Sequence, residues 1–290
     1  VPQGKVALVT GASRSVGKGI ALGLGSDDWT VYCTARGPVG SDGPLDATAA
    51  AVTERGGTGI AVQCDHREDD QIEALFDRIA AEQDGRLDLL VNNVWAAPRG
   101  FHGFTEKFWQ RPITDWNSLV DVGLRAHYVA SVHAAKLMVA QGSGLIANTS
   151  SFGSRGYLHS VLYGMAKAGL DKMAADMAVE LAGTGVSTLS LWPGLLRNEM
   201  IVASGLKEYA GFSFEKAESP EFLGRVMVAL ANDTRIGELS GSTIVTAEAG
   251  VHYGITDENG NVPESHRSAF GGGPVFGADD PFGALLPPTE

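Results

Sequence analysis

The feature that most constrains this chain is an alternation. Short apolar runs rich in β-branched residues are each followed by a stretch with helical periodicity. The runs expected to be strands are Lys5–Thr10, Thr30–Thr34, Gly59–Cys64, Leu87–Val91, Gly144–Ser150, Ser187–Trp192 and Ser242–Val245. The helical stretches are Val16–Leu24, Leu45–Arg55, Asp69–Glu82, Ile113–Val139, Val161–Leu181 and Pro220–Ala231. Strands that are apolar almost without interruption are buried on both faces, so the helices must cover both sides of a parallel sheet. The prediction is a doubly wound α/β fold whose ligands bind beyond the carboxyl ends of the strands.

The first predicted strand runs into TGASRSVGKG, residues 10–19, and then into a helix. Glycines let the backbone approach a ligand closely, and the amides and dipole at a helix start favour a phosphate. Gly17-Lys18 resembles the end of a nucleotide triphosphate loop. The spacing from Gly11 is one residue too long for that motif, and Gly19 stands where a serine or threonine should hold magnesium. The loop also lacks GxGxxG, so by itself it leaves the ligand open.

Composition narrows the classes. The 290 residues suit one large α/β domain or two small ones, and the net charge of -12 disfavours nucleic acid and anionic membranes. No apolar run approaches the roughly 20 residues that span a bilayer, and no signal-like segment opens the chain, which makes the cytoplasm the expected location. Cys33 and Cys64 fall in predicted strands without CxxC spacing, and the seven histidines form no ligand motif, so neither a disulfide nor a metal is expected. From about Gly254 the chain turns Gly- and Pro-rich and loses periodicity. We therefore divide it into a catalytic domain, 1–254, and an irregular tail, 255–290.

Tyr163 and Lys167 stand four apart in a predicted helix, on one face. A nearby positive charge favours a phenolate, and a tyrosine tuned toward neutrality can exchange protons with a carbonyl or an alcohol. Alone, such a pair is more often a surface pairing. Its context is Ser150-Ser151 closing the fifth strand, Asn92-Asn93 after the fourth, Pro193-Gly194 after the sixth, and the glycine loop after the first. All lie at carboxyl ends of strands.

That combination, over roughly residues 4–254, resembles the short-chain dehydrogenase/reductase (SDR) family. FWQRP, VGLRAHY and SLWPG look closest to its dehydrogenase/reductase SDR family member 1 group. The resemblance implies a Rossmann-type fold with a seven-stranded parallel sheet and helices on both faces. It implies a nicotinamide dinucleotide, Tyr163 as general acid/base, Lys167 as its pKa-lowering and ribose-binding partner, and a serine on the reacting oxygen. Spacing from Tyr163 favours Ser150 for that serine, whereas strand alignment favours Ser151, which we prefer because register is harder to shift than loop length.

Cofactor contacts are expected from Gly11, Ser13, Arg14, Val16, Gly17, Arg36, Asp65, Asn92, Tyr163, Lys167, Pro193, Gly194 and Leu196. Ala35 stands where an NAD-preferring member would carry an acid; Arg36 follows it, and Arg14 and Ser13 can converge on a 2′-phosphate. NADP(H) is therefore preferred, with NAD(H) possible. Asp65 is expected at the adenine amino group, or alternatively as a cap of its own turn. Aromatics at Trp95, Phe101, Phe104, Phe108 and Trp109 suggest an apolar substrate wall, Tyr157 and His159 another, and residues 194–220 a lid.

Three departures from the family pattern are visible. Ser15 replaces a loop glycine, Val94-Trp95 replaces the usual Ala-Gly, and Gly123 replaces an asparagine that anchors a water in the proton relay. They motivate the alternative to an NADP(H)-dependent carbonyl/alcohol oxidoreductase, namely a catalytically weak dinucleotide-binding regulator or scaffold. Helices Ile113–Val139 and Val161–Leu181 carry more apolar surface than one sheet face needs, and the resemblance, to a family whose members pair through these helices, implies a homodimer or homotetramer.

Overall fold

Successive residues of a buried parallel strand point to opposite faces. In β1 (Val6–Thr10) of the computed structural model, Ala7 and Val9 join one hydrophobic cluster while Val6 and Leu8 join another, and all four are buried. The structure describes residues 4–40, 42–98, 106–209, 211–274 and 276. Along the chain follow α1 (Ser15–Gly25), β2 (Thr30–Ala35), α2 (Pro44–Glu54), β3 (Thr58–Gln63), α3 (Asp69–Glu82) and β4 (Leu89–Asn92). Next come a π-helical segment (Asn117–Arg125), α4 (Ala126–Gln141), β5 (Gly144–Thr149), α5 (Val161–Glu180), β6 (Val186–Trp192) and α6 (Glu199–Ser204). A small hairpin, β7 (Glu208–Tyr209) and β8 (Phe212–Ser213), precedes α7 (Pro220–Asn232), β9 (Thr243–Val245) and α8 (Thr246–His252).

The main sheet has seven parallel strands in the order β3-β2-β1-β4-β5-β6-β9. Strand order reverses between β1 and β4, which opens a crevice above their carboxyl ends. The α1–α2–α7 side packs Ile20, Leu24, Leu45, Phe222 and Leu230 in one cluster; Ile72, Phe76 and Met138 from α3 and α4 line the other. Helices α1 and α7 cross so closely that a β-carbon at Gly23 would lie 2.5 Å from the Gly224 carbonyl carbon, which excludes any side chain there.

The predicted helix Ile113–Val139 is not one α-helix. Its first part, Asn117–Arg125, is wound as a π-helix, which continues into α4. Apolar spacing does not distinguish i→i+5 from i→i+4 bonding over two turns. After Gly254 the described residues, 255–274, are largely irregular but not detached. Asp257 accepts from the Ser219 amide at 2.7 Å and hydroxyl at 2.5 Å, and the Phe270 ring packs on Phe152, Phe212 and His266. Among the described residues no helix is long and apolar enough to cross a membrane.

Candidate active site

The glycine loop joins β1 to α1 and is braced from β4. Asn93 Nδ2 donates to the carbonyls of Thr10 at 3.0 Å and Gly11 at 3.2 Å. A β-carbon at Gly17 would come within 2.4 Å of the Gly11 oxygen and 2.5 Å of Asn93 Nδ2, so glycine is required for the loop to fold back on itself. Val16 is buried behind the loop, Ser13 is half-buried, and Arg14 is exposed at its tip. Ser15 sits in the left-handed region at φ 48, a conformation that costs a non-glycine residue about 1–2 kcal/mol. Its surroundings compensate: the Ser15 amide donates to Glu199 Oε1 at 2.8 Å, and Ser15 Oγ accepts from Asn198 Nδ2 at 3.1 Å. Helix α6 is thereby latched to the start of α1.

At the end of β5 the backbone is extended, so adjacent serines face opposite ways. Ser150 Oγ is buried and donates to the Lys167 carbonyl at 3.1 Å. Ser151 Oγ receives the Tyr163 hydroxyl at 2.9 Å. Ser160 caps α5 by accepting from the Tyr163 amide, which fixes the helix start three residues before the phenol-bearing residue. One turn on, buried Lys167 donates from Nζ to the Thr149 carbonyl at 2.8 Å and lies 5.7 Å from the Tyr163 ring centroid. Tyr163, Lys167 and Ser151 therefore converge beyond β5.

The electrostatics differ from the expectation in one respect. Burial lifts the Tyr163 phenol above its ordinary value, and the Ser151 contact only partly offsets this. Burial likewise brings Lys167 down to about 8, with Asp171 acting in the opposite direction. His159, at φ 62, packs its ring edge-on to Tyr163 at 4.8 Å, and burial lowers its pKa.

The family model for short chain dehydrogenases matches residues 5–208. The chain belongs to the short-chain dehydrogenase/reductase family. This SDR is 41% identical to mouse (Mus musculus) dehydrogenase/reductase SDR family member 1 over 276 residues, covering 92% of this chain and 87% of the relative. It is 39% identical to the human (Homo sapiens) protein of the same name over 275 residues, covering 91% and 87%. Among solved structures it resembles a short-chain type dehydrogenase/reductase from Mycobacterium marinum (TM-score 0.71, 27% identity, 84% of this chain and 94% of that one). It also resembles a metagenomic short-chain oxidoreductase in complex with NADP (TM-score 0.68, 28% identity, 84% and 96%). It is an oxidoreductase of a family that uses NAD(P) and acts on CH–OH groups of small molecules.

The remaining expected residues of this SDR separate into two groups. Arg36, after β2, and Arg14 are exposed, and neither forms an ion pair among the described residues, although the Arg36 charge also acts on Asp65; two exposed guanidinium groups near a glycine loop suit a dinucleotide phosphate. Two side chains, those of Asn92 and Asp65, are engaged otherwise than first expected. Asn92 is fully buried, with Nδ2 donating to Asn148 Oδ1 at 3.0 Å, Ser131 Oγ at 2.9 Å and the His127 carbonyl at 3.3 Å. Its side chain ties β4 to β5 and α4 and does not reach the crevice. Asp65 follows its alternative, accepting from the Arg67 amide at 3.1 Å and pairing with the Arg67 guanidinium, which holds its carboxyl below the usual range. The Gly194 amide, after buried Pro193, donates to Glu218 Oε1 at 3.0 Å, while half-buried Leu196 bridges to Glu218.

Two of the family departures, Gly123 and Trp95, meet in space. A β-carbon at Gly123 would touch Trp95 Cδ1 at 3.5 Å, so the residue lacking a side chain lies beside the residue with the largest one. Trp95, Phe108 and Trp109 are exposed, as is Tyr157; Phe101 and Phe104 lie outside the described residues. Sequence reasoning missed Glu199, Glu218 and Asp171. Only Asp171 carried a signal, since it follows Lys167 by four residues on the same helix face.

Proposed function

We propose that this SDR is an NADP(H)-dependent oxidoreductase that interconverts an apolar ketone or aldehyde with its alcohol, with Tyr163 as general acid/base. The observation that carries the reading is the 2.9 Å contact between Tyr163 Oη and Ser151 Oγ, with Lys167 one turn along the same helix. When bound, the nicotinamide supplies or accepts the hydride. The chain's own residues handle the oxygen and the proton. In reduction, Ser151 donates a hydrogen bond to the carbonyl oxygen as negative charge grows on it, and Tyr163 transfers its phenolic proton to that oxygen. A phenol whose pKa lies above its ordinary value is protonated at neutral pH, the form that donates. Lys167 holds the nicotinamide ribose and stabilises the phenolate left behind. Arg14 and Arg36, with Ser13, bind the 2′-phosphate; Gly11, Val16 and Gly17 approach the pyrophosphate, and the Pro193–Leu196 stretch borders the nicotinamide.

Exposed Trp95, Phe108 and Trp109 support an apolar substrate. Exposed Tyr128, Val132 and Val139 along α4, with Val161, Met165 and Val179 along α5, support pairing of copies into a homodimer or homotetramer. Phe270 packed on Phe152 ties this part of the described chain to the turn that carries Ser151. The test is NADPH binding followed by turnover of a panel of apolar ketones and aldehydes. Turnover abolished by Tyr163→Phe supports the reading; NADPH binding with no turnover of any carbonyl favours the regulator or scaffold.

A further inference from the structure

Asp171 lies on the face of α5 that carries Tyr163 and Lys167, one turn beyond the lysine. It is 2% exposed. A carboxylate this deep is costly unless donors surround it. Its Oδ2 accepts from Ser154 Oγ at 2.5 Å and from Trp192 Nε1 at 2.9 Å. Burial lifts its carboxyl above the ordinary value, and Ser154, Ser150, Trp192 and Ser190 offset part of that rise, although the Ser150 and Ser190 hydroxyls each donate to an α5 carbonyl, Lys167 O at 3.1 Å and Leu170 O at 3.3 Å. Asp171 Oδ1 has no hydrogen-bond partner among the described residues.

These partners are not scattered. Ser150 and Ser154 bracket Ser151 in the turn after β5, and Ser190 and Trp192 end β6 just before Pro193-Gly194. One carboxylate thus ties helix α5 to the turn that carries the substrate-facing serine and to the strand end that borders the nicotinamide. Lys167 is buried and needs a counter-charge. Its neighbours Tyr163, His127 and His159 do not supply one: the phenol's pKa is raised, and burial lowers both imidazoles and keeps them neutral. Asp171 is the acidic side chain whose charge acts on Lys167, without a direct ion pair among the described residues.

We propose that Asp171 is a positioning residue: it is the buried counter-charge that keeps Lys167 an ammonium, and the anchor that aims Ser151 at Tyr163. The proposal rests on the reading of Tyr163 and Lys167 as the reacting pair. Asp171→Asn keeps an oxygen for Ser154 and Trp192 and removes only the charge. In the full chain with ¹³C-labelled lysine, the Lys167 side-chain resonance, assigned by its loss in Lys167→Met, is titrated by NMR. The expected result is a Lys167 midpoint lower by ~1 unit in Asp171→Asn, with the alkaline limb of the kcat–pH profile moved the same way and KM within about twofold. An unchanged Lys167 midpoint in folded Asp171→Asn overturns the proposal. If that variant does not fold, Trp192→Phe removes one donor, makes the carboxyl harder to ionise, and must move the Lys167 midpoint down by a smaller step; no movement there is equally fatal. The titration needs no turnover, so it reads out even if no carbonyl is reduced by the wild type, an outcome that would strike the enzymatic reading instead.

Discussion

The Tyr163 hydroxyl meets Ser151 Oγ at 2.9 Å, while Ser150, one residue earlier, turns its own hydroxyl into the backbone of α5. Strand alternation makes the two serines do different work. Ser151→Ala should lower kcat/KM by ~10²-fold or more and leave unfolding little changed; Tyr163→Phe should lower kcat by at least ~10²-fold. Ser150→Ala should instead cost about 1 kcal/mol of stability, from a lost buried hydrogen bond, with a smaller effect on chemistry. Steady-state kinetics and urea denaturation of the three variants check this, and full activity in Ser151→Ala would rule out its role.

Arg14 stands at the tip of the glycine loop and Arg36 follows β2, both exposed and outside the ion pairs of the described residues. If they bind a 2′-phosphate, Arg36→Ala should weaken NADPH binding ~10-fold or more, about 1.4 kcal/mol, and change NADH binding within about twofold. Charge-assisted contacts at an exposed site are screened, so NADPH preference should also shrink as salt rises. Fluorescence titration with both cofactors measures this. Equal loss for both would remove the NADP(H) preference.

Glu199 places its carboxylate on the Ser15 amide at 2.8 Å, at the end of α1 where a dinucleotide's phosphates should bind. Two anions compete for one helix start, and an exposed carboxylate there is worth ~0.3–1 kcal/mol. Glu199→Gln should therefore tighten NADPH binding by ~2–5-fold, and Asn198→Ala, which frees Ser15 Oγ from the same latch, should act in the same direction. Isothermal titration separates this from a neutral outcome, in which both variants bind like the wild type.

The legible parts of this molecule were those encoded by local period. β1 alternates Val6, Ala7, Leu8 and Val9 between two clusters, and that buried-both-ways pattern is what an apolar run of its length specifies. Strand ends were harder. Leu87 and Asp88 read as strand but precede β4, because Asp88 is committed to the Val6 amide and to Arg86. The site was legible where its residues share a helix or flank a strand end, as Tyr163, Lys167 and Ser151 do. It was illegible where contact is made by topology. Ser15 and Glu199 are 184 residues apart, and Gly194 and Glu218 are 24 apart across an irregular segment, so no spacing rule points to either pair. Asn92 and Asn93 show a third limit: the doublet marks the strand end, but which asparagine faces inward depends on where β4 stops.

Glu218 gives the sharpest pH test of the region around Gly194. It is fully buried, accepts from the Gly194 amide at 3.0 Å and from Thr246 Oγ1 at 2.7–2.8 Å, and burial pushes its carboxyl up to about 7, with Asp257 adding to the rise. The sign follows from proton binding. Between the unfolded value of 4.5 and the folded value of about 7, the folded protein holds a proton that the unfolded chain has lost. Stability must then fall as pH rises through that window, by about 3 kcal/mol, and level off above it. Glu218→Gln keeps the size of the side chain and an oxygen for Gly194 and Thr246 but cannot ionise. Groups elsewhere titrate alike in both proteins and cancel in the difference. The unfolding free energy of Glu218→Gln relative to wild type, from urea denaturation at pH 5 and pH 8, should therefore rise by about 3 kcal/mol over that interval. A difference that stays flat means that Glu218 is already ionised in the folded protein at pH 5, with Gly194 and Thr246 donating to a carboxylate throughout.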